Sequence, residues 1–383
     1  MQLIVSCEYG LEPIVIDELA ELGYHGETVV PSRILVSIAE IADIYDLSIA
    51  ARTIQRVFIL IGDFTCNTLD EIYQAGSSVD FSNWIEADQT FGVRGTREGD
   101  HDYGSMDVAA SIGQCVIDHF NSQTGKRITV NLDEPDVEIM AHLSGDRLLL
   151  MIATSNCSLH KRIERPYQHF AALKPSIAAA MLRKSSWKKY GSVLDPMAGS
   201  GIIPIDAALQ ARNIPPGSVA NHSIFQFSKL AFLDYQEFLK RCELYKENVM
   251  NNNELEIMAG DRYPKSIAGM KQNMAFLGVE NDITIHHGDA EDLTYLNIGD
   301  APCIVTNPPY GMRIGNPGIV KALYKNFARS CAEKQVEEIT AITPRRHHWI
   351  VSFTSHGYKV DYMQRFYFGR LNVFMIRVKA KTN

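Results

Sequence analysis

Residues 192–212 read SVLDPMAGSGIIPIDAALQAR. SVLDP is a short apolar strand candidate, and GIIPIDAALQAR carries apolar residues at helical spacing. Between them lies Asp195-Pro196-Met197-Ala198-Gly199-Ser200-Gly201. Two glycines allow a tight turn and let the backbone approach a ligand closely. Strand, glycine turn and helix in that order open a βαβ unit, and the following sequence repeats the alternation. LEIMAGD is followed by YPKSIAGMKQNMAFLG, then come ITIHHGD, PCIVTNPPY with IVKALYKNFARSCAEK, and EEITAIT. From Lys174 onward this predicts an α/β domain with a mostly parallel sheet wrapped by helices. YKVDYMQRFYF and LNVFMIRVKAK follow each other with no helix between, which predicts an antiparallel hairpin at the sheet edge. Ligands in such sheets bind at the carboxyl ends of the strands, where strand order reverses.

Upstream the pattern is α+β. MQLIVSC, RILVSI and QRVFILIGDF read as strands, and LEPIVIDELAELGY, ending at Gly23, and IADIYDLSIAARTI as amphipathic helices. TLDEIYQAGSSVDFSNWI reads as helix and turn, and QTFGVRGTREGDHDYGSMDVAASIGQCVIDHFNSQTG as strand, polar loop and helix. RITVNLDEPDVEIMAHLSGDRLLLMIATS gives three short strands, with a hairpin at Ser144-Gly145-Asp146. The division expected is 1–60, 61–160, a polar basic linker at 161–173, and 174–383.

With 383 residues, 46% of them hydrophobic and 21% charged, the chain has ample material for two or three globular cores. No apolar run approaches the ~20 residues that span a bilayer. A secretory leader is not expected, because Glu8 and Glu12 interrupt the first apolar stretch. Seven cysteines are scattered singly with no C-x-x-C pair, which predicts neither disulfides nor a zinc site and points to a reducing, cytoplasmic setting. No metal and no membrane partner are expected.

Net charge is −8, yet its distribution is uneven. Residues 1–55 hold nine acids and two bases, 161–190 one acid and eight bases, and 345–383 again one and eight. Local potential attracts a phosphate backbone, so an acidic chain with two basic stretches remains compatible with RNA. Ordinary solvated faces would give the same counts.

The glycine turn is neither a G-x-G-x-x-G dinucleotide loop nor a P-loop, since no Gly-Lys-Ser/Thr follows. A nucleoside without phosphate, such as S-adenosylmethionine, suits it better, with Asp195 meeting an ammonium group. Asp261 ends the strand LEIMAG, where an acid receives ribose hydroxyls. Asp289 ends ITIHHG and can accept from an adenine amine. Lone strand-end aspartates are usually helix caps, but three at successive strand ends form a pattern. The long interval from Gly201 to Asp261 predicts an insertion after the first helix. Asn307-Pro308-Pro309-Tyr310 is the sharpest signal. An Asn oxygen and a proline carbonyl can accept both hydrogens of an NH2 group and aim its lone pair at a methyl donor, while Tyr310 stacks on the base. A rigid turn with a core tyrosine is the plainer alternative.

DPMAGSG, Asp261, Asp289 and NPPY together resemble class I S-adenosylmethionine-dependent methyltransferases acting on exocyclic amines. FGVRGTREGDHDYGSMDVAASIGQ with GDRLLLMIATSNCSLHKR resembles the THUMP RNA-binding domain. FAALKPSIAAAMLR, IPIDAALQARNIPPG and NPPYGMRIG resemble the THUMP-containing guanine-N2 RNA methyltransferases. The resemblance covers nearly the whole chain. It implies a Rossmann-like catalytic domain whose seven-stranded sheet has an antiparallel last strand, preceded by ferredoxin-like and THUMP domains. It also implies S-adenosylmethionine held by Leu173, Lys174, Pro175, Asp195, Pro196, Gly199, Ser200, Gly201, Asp261, Arg262, Asp289, Ala290 and Asn307. The target amine would sit against Asn307, Pro308, Pro309 and Tyr310, and RNA against Arg94, Arg97, Lys161 and Arg162. Two departures are visible: Ile202 stands where Thr is common, and Met197-Ala198 where the bacterial ribosomal branch often has Phe-Cys. The second departure, the GMRIG continuation and the unfused length favour structured tRNA, with N2-methylguanosine formed in the acceptor stem. Large-subunit rRNA is the alternative. An adenine-N6 DNA methylase and a catalytically inactive RNA-binding protein are further rivals, and the oligomeric state stays open.

Overall fold

The computed structural model describes residues 1–168, 173–251, 254–311 and 317–381. The chain forms two compact units. The first comprises Met1–Cys7, Leu19–Arg162 and Asn221–Leu244; the second comprises Glu8–Glu18, Ile163–Ala220 and Tyr245–Asn383.

In chain order the first half contains β1 (Gln2–Ser6), α1 (Glu12–Glu21), β2 (Gly26–Val30), β3 (Arg33–Ser37), α2 (Ala42–Ala50), β4 (Arg56–Thr65) and α3 (Leu69–Ser77). It continues with β5 (Thr90–Glu98), α4 (Ser105–Thr124), β6 (Thr129–Val130), β7 (Val137–Ser144) and β8 (Arg147–Ala153). All eight strands join one sheet in the order β2-β3-β1-β4-β8-β7-β5-β6. Strand β4 crosses the expected division at residue 60 and pairs with β1 on one side and β8 on the other, so residues 1–60 and 61–160 share a sheet. Local sequence sets the element ends. Thr68 and Glu71 form a reciprocal capping box at the start of α3. Gly145, at φ +59, makes the predicted β7–β8 hairpin turn. Strand β2 was not expected, because GETVV has only its last residue buried and lacks apolar alternation.

The first unit also takes in residues 221–244, from the interval between Gly201 and Asp261. Phe225, Phe227 and Phe238 of that segment are buried and form an aromatic cluster with Tyr45 of α2; the Tyr45–Phe227 centroids lie 5.0 Å apart. The Tyr45 hydroxyl accepts from the Asp234 N–H at 2.8 Å.

The second unit holds α5 (Pro175–Lys184), α6 (Trp187–Tyr190), β9 (Ser192–Asp195) and α7 (Ile202–Ala211), then the end of α8 (Tyr235–Glu247). There follow β10 (Glu256–Asp261), α9 (Pro264–Phe276), β11 (Ile283–His287), β12 (Cys303–Thr306), α10 (Pro317–Glu333), β13 (Glu338–Thr343), α11 (Arg346–Thr354), β14 (Tyr358–Phe368) and β15 (Leu371–Ala380). Its seven strands run β11-β10-β9-β12-β13-β15-β14. Strands β9 to β13 pair in parallel, β15 is antiparallel to β13, and β14 and β15 form the expected hairpin at the edge. Every residue of β9, β12 and β13 is buried, as a parallel sheet covered on both faces requires. Leu11 and Ile14 share the core of Ile177, Met181 and Phe366. Strand order reverses between β9 and β12.

No helix among the described residues is long and apolar enough to cross a membrane.

Candidate active site

At the carboxyl ends of β9, β10 and β12 a cavity of about 740 Å³ opens in the second unit. This is the topological switch point of the sheet. The volume falls in the range of small-molecule pockets, ~300–1,000 Å³.

The glycine turn forms one wall. Gly199 and Gly201 take φ +55 and +82, which a side chain would resist. A Cβ on Gly201 would come within 2.7 Å of Met270. The turn is held from below, where Ala198 N–H donates to the Gly260 carbonyl at 2.9 Å and the buried Asn273 amide of α9 donates to the Ser200 carbonyl at 2.9 Å. Asn273 was not singled out in the sequence, because a lone Asn on a helix gives no local sign of the loop it meets.

The three aspartates differ in setting. Asp195 is only 3% exposed, and its Oδ1 accepts from the Thr306 hydroxyl at 2.7 Å and the Met197 N–H at 3.1 Å. Burial pushes its carboxyl up to about 7, against those two donors, with the nearby Asp261 charge adding to the rise. Asp261 accepts from Gly199 N–H at 2.9 Å with one oxygen and from Tyr263 N–H at 2.8 Å with the other. Each oxygen keeps a further acceptor direction. Asp289 accepts from Glu291 N–H at 3.0 Å and lies 3.4 Å from the Arg262 guanidinium.

The Asn307–Tyr310 loop forms the facing wall. The Tyr310 hydroxyl donates to Asn307 Oδ1 at 2.6 Å, so the phenol orients the amide as well as offering a ring. An amide oxygen accepts two hydrogen bonds, which leaves Oδ1 able to take a second donor. The backbone is fixed from behind, where Tyr324 of α10 donates to the Pro309 carbonyl at 3.2 Å and Arg345 Nε, at the start of α11, to the Tyr310 carbonyl at 2.7 Å.

The cavity thus gathers Leu173, Lys174, Asp195, Pro196, Gly199, Ser200, Asp261, Arg262, Asp289, Ala290 and Asn307 through Tyr310. Pro175 and Gly201 are off its wall; Pro175 opens α5 and Gly201 caps α7. The β14–β15 turn, Phe368–Leu371, also lines it and carries no motif by which sequence reading would find it. Phe170–Ala172 and Met312–Gly315, which contributed to the resemblance, lie outside the described residues.

The four residues expected to meet RNA lie in the first unit. Arg162 is a correction: it is 4% exposed, and its guanidinium donates to the Ser48 and Ala51 carbonyls at 2.9 and 2.5 Å, satisfying the end of α2. A side chain so placed cannot reach a phosphate. Arg94 donates to the Leu132 carbonyl and lies 3.6 Å from Glu138, while Arg97 donates to the Gly99 carbonyl at 2.7 Å. Lys161 is exposed.

The family described as "RMKL-like, methyltransferase domain" matches residues 162–364, the THUMP domain residues 66–153, and the RlmL ferredoxin-like domain residues 2–58. A tRNA (guanine(6)-N2)-methyltransferase of Archaeoglobus fulgidus is 36% identical over 323 residues, 84% of this chain and 77% of that protein. The protein of the same description from Methanocaldococcus jannaschii is 34% identical, over 87% of each chain. The ribosomal RNA large subunit methyltransferase K/L of Vibrio parahaemolyticus is 28% identical over 85% of this chain and 46% of its own length. Among solved structures SMU.472 in complex with SAH superposes with a TM-score of 0.85 at 23% identity, covering 100% of this chain and 98% of that one. The RMKL-like match takes in the glycine turn, the three strand-end aspartates and Asn307–Tyr310, with THUMP and ferredoxin-like domains ahead of it, and the chain therefore belongs to the RMKL-like methyltransferase family.

Proposed function

We propose that this chain methylates the N2 amine of a guanosine in structured RNA, with the acceptor stem of a tRNA as substrate and S-adenosylmethionine as donor. The observation that carries the reading is the pairing of Asn307 and its proline carbonyls with three strand-end carboxylates across one cavity. The two archaeal relatives, whose descriptions name tRNA and guanine N2, support the substrate. On this reading residues 61–160, preceded by a ferredoxin-like domain at 1–60, engage RNA, with Arg94, Arg97 and Lys161 among the contacts. Residues 174–383, after a linker at 161–173, carry the transfer.

The cavity suits the donor. It has room for a nucleoside, a close backbone approach at Gly199, and carboxylates at the ends of adjacent strands. Asp195 would meet the ammonium group, Asp261 the ribose hydroxyls, and Asp289 with Ala290 the adenine, with Leu173 and Lys174 closing over them. The sulfonium, when bound, supplies an already activated methyl group, so the protein's part is positioning. Asn307 Oδ1 and the Pro308 carbonyl would accept the two amine hydrogens and aim the nitrogen lone pair. As the nitrogen becomes cationic, the same two oxygens stabilise it, and the proton leaves to water. A base in a stem cannot reach the pocket while paired, so it is flipped out.

Large-subunit rRNA is the second reading, favoured by the K/L relative but at lower identity and over less than half of that protein. Nucleoside mass spectrometry of tRNA and rRNA methylated in vitro tests both. N2-methylguanosine in tRNA is the expected product, and N6-methyladenosine as sole product refutes the target atom.

A further inference from the structure

On the free edge of β14, beside the turn that lines the cavity, two tyrosines form a step. The rings of Tyr9 and Tyr367 stack with centroids 5.3 Å apart and planes 13° from parallel. Tyr9 is 51% exposed, so an aromatic face remains open to solvent. The arrangement is built. Tyr367 N–H donates to the Tyr9 carbonyl at 2.9 Å, and Gln364 Nε2 donates to the Gly10 carbonyl at 2.8 Å, so the segment is held along the outer side of β14, the last strand of the sheet. Gly10 takes φ +94, and a Cβ on it would lie 2.5 Å from the Arg365 carbonyl, so the close approach requires glycine. Two residues before Gly10, Glu8 accepts from Lys174 at 2.6 Å, and Lys174 is itself in the cavity wall. Arg365 stacks over Tyr367 at 5.5 Å and donates to its hydroxyl at 3.0 Å; Arg365 and Arg370 are both exposed.

We propose that Tyr9 and Tyr367 form a stacking platform for an unpaired RNA base next to the flipped-out guanosine, with Arg365 and Arg370 meeting the adjoining phosphates. The proposal rests on the reading of the cavity as an RNA methylation site. Flipping a base leaves its neighbour without a stacking partner, and an exposed aromatic face with cations beside it recovers that loss for any base. The charge fits, since residues 345–383 hold eight bases against one acid. A step of two rings, one of them anchored by the sheet edge, is stiffer than a lone exposed tyrosine and loses less freedom when a base lands on it.

The test uses the full chain with Tyr9→Ala, Tyr9→Phe, Tyr367→Ala and Tyr367→Phe, and two measurements. In steady-state methylation of a tRNA transcript, each alanine variant should raise KM for RNA by roughly 5- to 100-fold, the range of one base–aromatic stack. The phenylalanine variants should restore it, and S-adenosylmethionine affinity by calorimetry should not move. Independently of activity, a 4-thiouridine-substituted tRNA transcript irradiated with the wild-type chain should give a crosslinked peptide containing Tyr9 or Tyr367. Unchanged KM in both alanine variants, or RNA crosslinks confined to other peptides, overturns the platform and leaves the methyltransferase reading intact. Self-association of the wild type that Tyr9→Ala abolishes, with RNA kinetics unaltered, would assign the step to a second copy of the chain and equally overturn it. Crosslinking at Tyr9 in a protein that yields N2-methylguanosine in no RNA would refute the proposed reaction and keep the platform.

Discussion

Replacing Thr306 by valine removes one hydroxyl from beneath the glycine turn and changes little else in shape. That hydroxyl donates to Asp195 Oδ1 at 2.7 Å in a fully buried position. Asp195 is pushed up to about 7, chiefly by burial. Its folded value therefore exceeds the unfolded one of about 3.9. The contribution to stability is fully present below about 3.9 and is lost as pH rises through about 7, at most ~4 kcal/mol over that window. An ammonium ion beside Asp195 has the opposite preference and favours the ionised form. Cofactor affinity should thus rise with pH towards a plateau above about 7, with protons released on binding below it. A hydrogen bond to a charged acceptor contributes ~1.5–3 kcal/mol, so Thr306→Val should move the midpoint of the affinity curve upward by about one to two pH units. Titration calorimetry with S-adenosylhomocysteine and with S-adenosylmethionine between pH 6 and 9, in buffers of contrasting ionisation enthalpy, measures affinity and proton count together. A wild-type affinity independent of pH, or a variant with the same midpoint, would refute the coupling of Asp195 to the cofactor's charge.

Asn307→Ala should lower the rate of methyl transfer by roughly 10²–10³ with a far smaller effect on cofactor affinity, read in single-turnover methylation and in calorimetry. Tyr310→Phe keeps the ring but frees the Asn307 amide to rotate, so a loss of roughly 3- to 10-fold is expected; no loss would mean that the 2.6 Å contact does not orient the amide. Asp261→Ala should weaken S-adenosylmethionine binding by about 1–3 kcal/mol without affecting RNA affinity. It should also lower the melting temperature, because the Gly199 and Tyr263 N–H groups lose their acceptor. Arg162→Met should destabilise the chain by about 1.5–3 kcal/mol in denaturant unfolding. Lys161→Ala should leave stability unchanged and flatten the salt dependence of RNA binding by about one phosphate contact.

The α/β half was legible because β9, β12 and β13 are continuous buried runs and an Asp or Asn stands at or just after the ends of β9, β10, β11 and β12. Asp195, Asp261, Asp289 and Asn307 could be placed from their positions in chain order, since a parallel sheet delivers successive strand ends to one side. What escaped depends on contacts distant in sequence. Asn273 meets Ser200 across 73 residues, and Arg345 meets the Tyr310 carbonyl across 35. Arg162 was misread for a related reason: a basic run looks alike whether its members point outward or cap a helix 111 residues earlier. Strand β2 carries little apolar alternation and is defined by pairing with β3 rather than by its own residues.

The order in which the chain leaves the ribosome gives the 221–244 segment a further importance. Tyr45 precedes residue 50, yet Phe227 and Phe238, which pack against its ring, are made much later. Until then the outer side of α2 is an open apolar face, and the first unit cannot reach its final stability while the glycine turn and β9 are already emerging. Domains commonly mature one after another during synthesis; here the earlier unit must wait for part of the later sequence. A fragment ending at Arg162 would contain all eight strands of the first sheet and still lack its cover. An isolated RNA-binding half should therefore be produced either with residues 221–244 supplied in trans or with the exposed face of α2 redesigned.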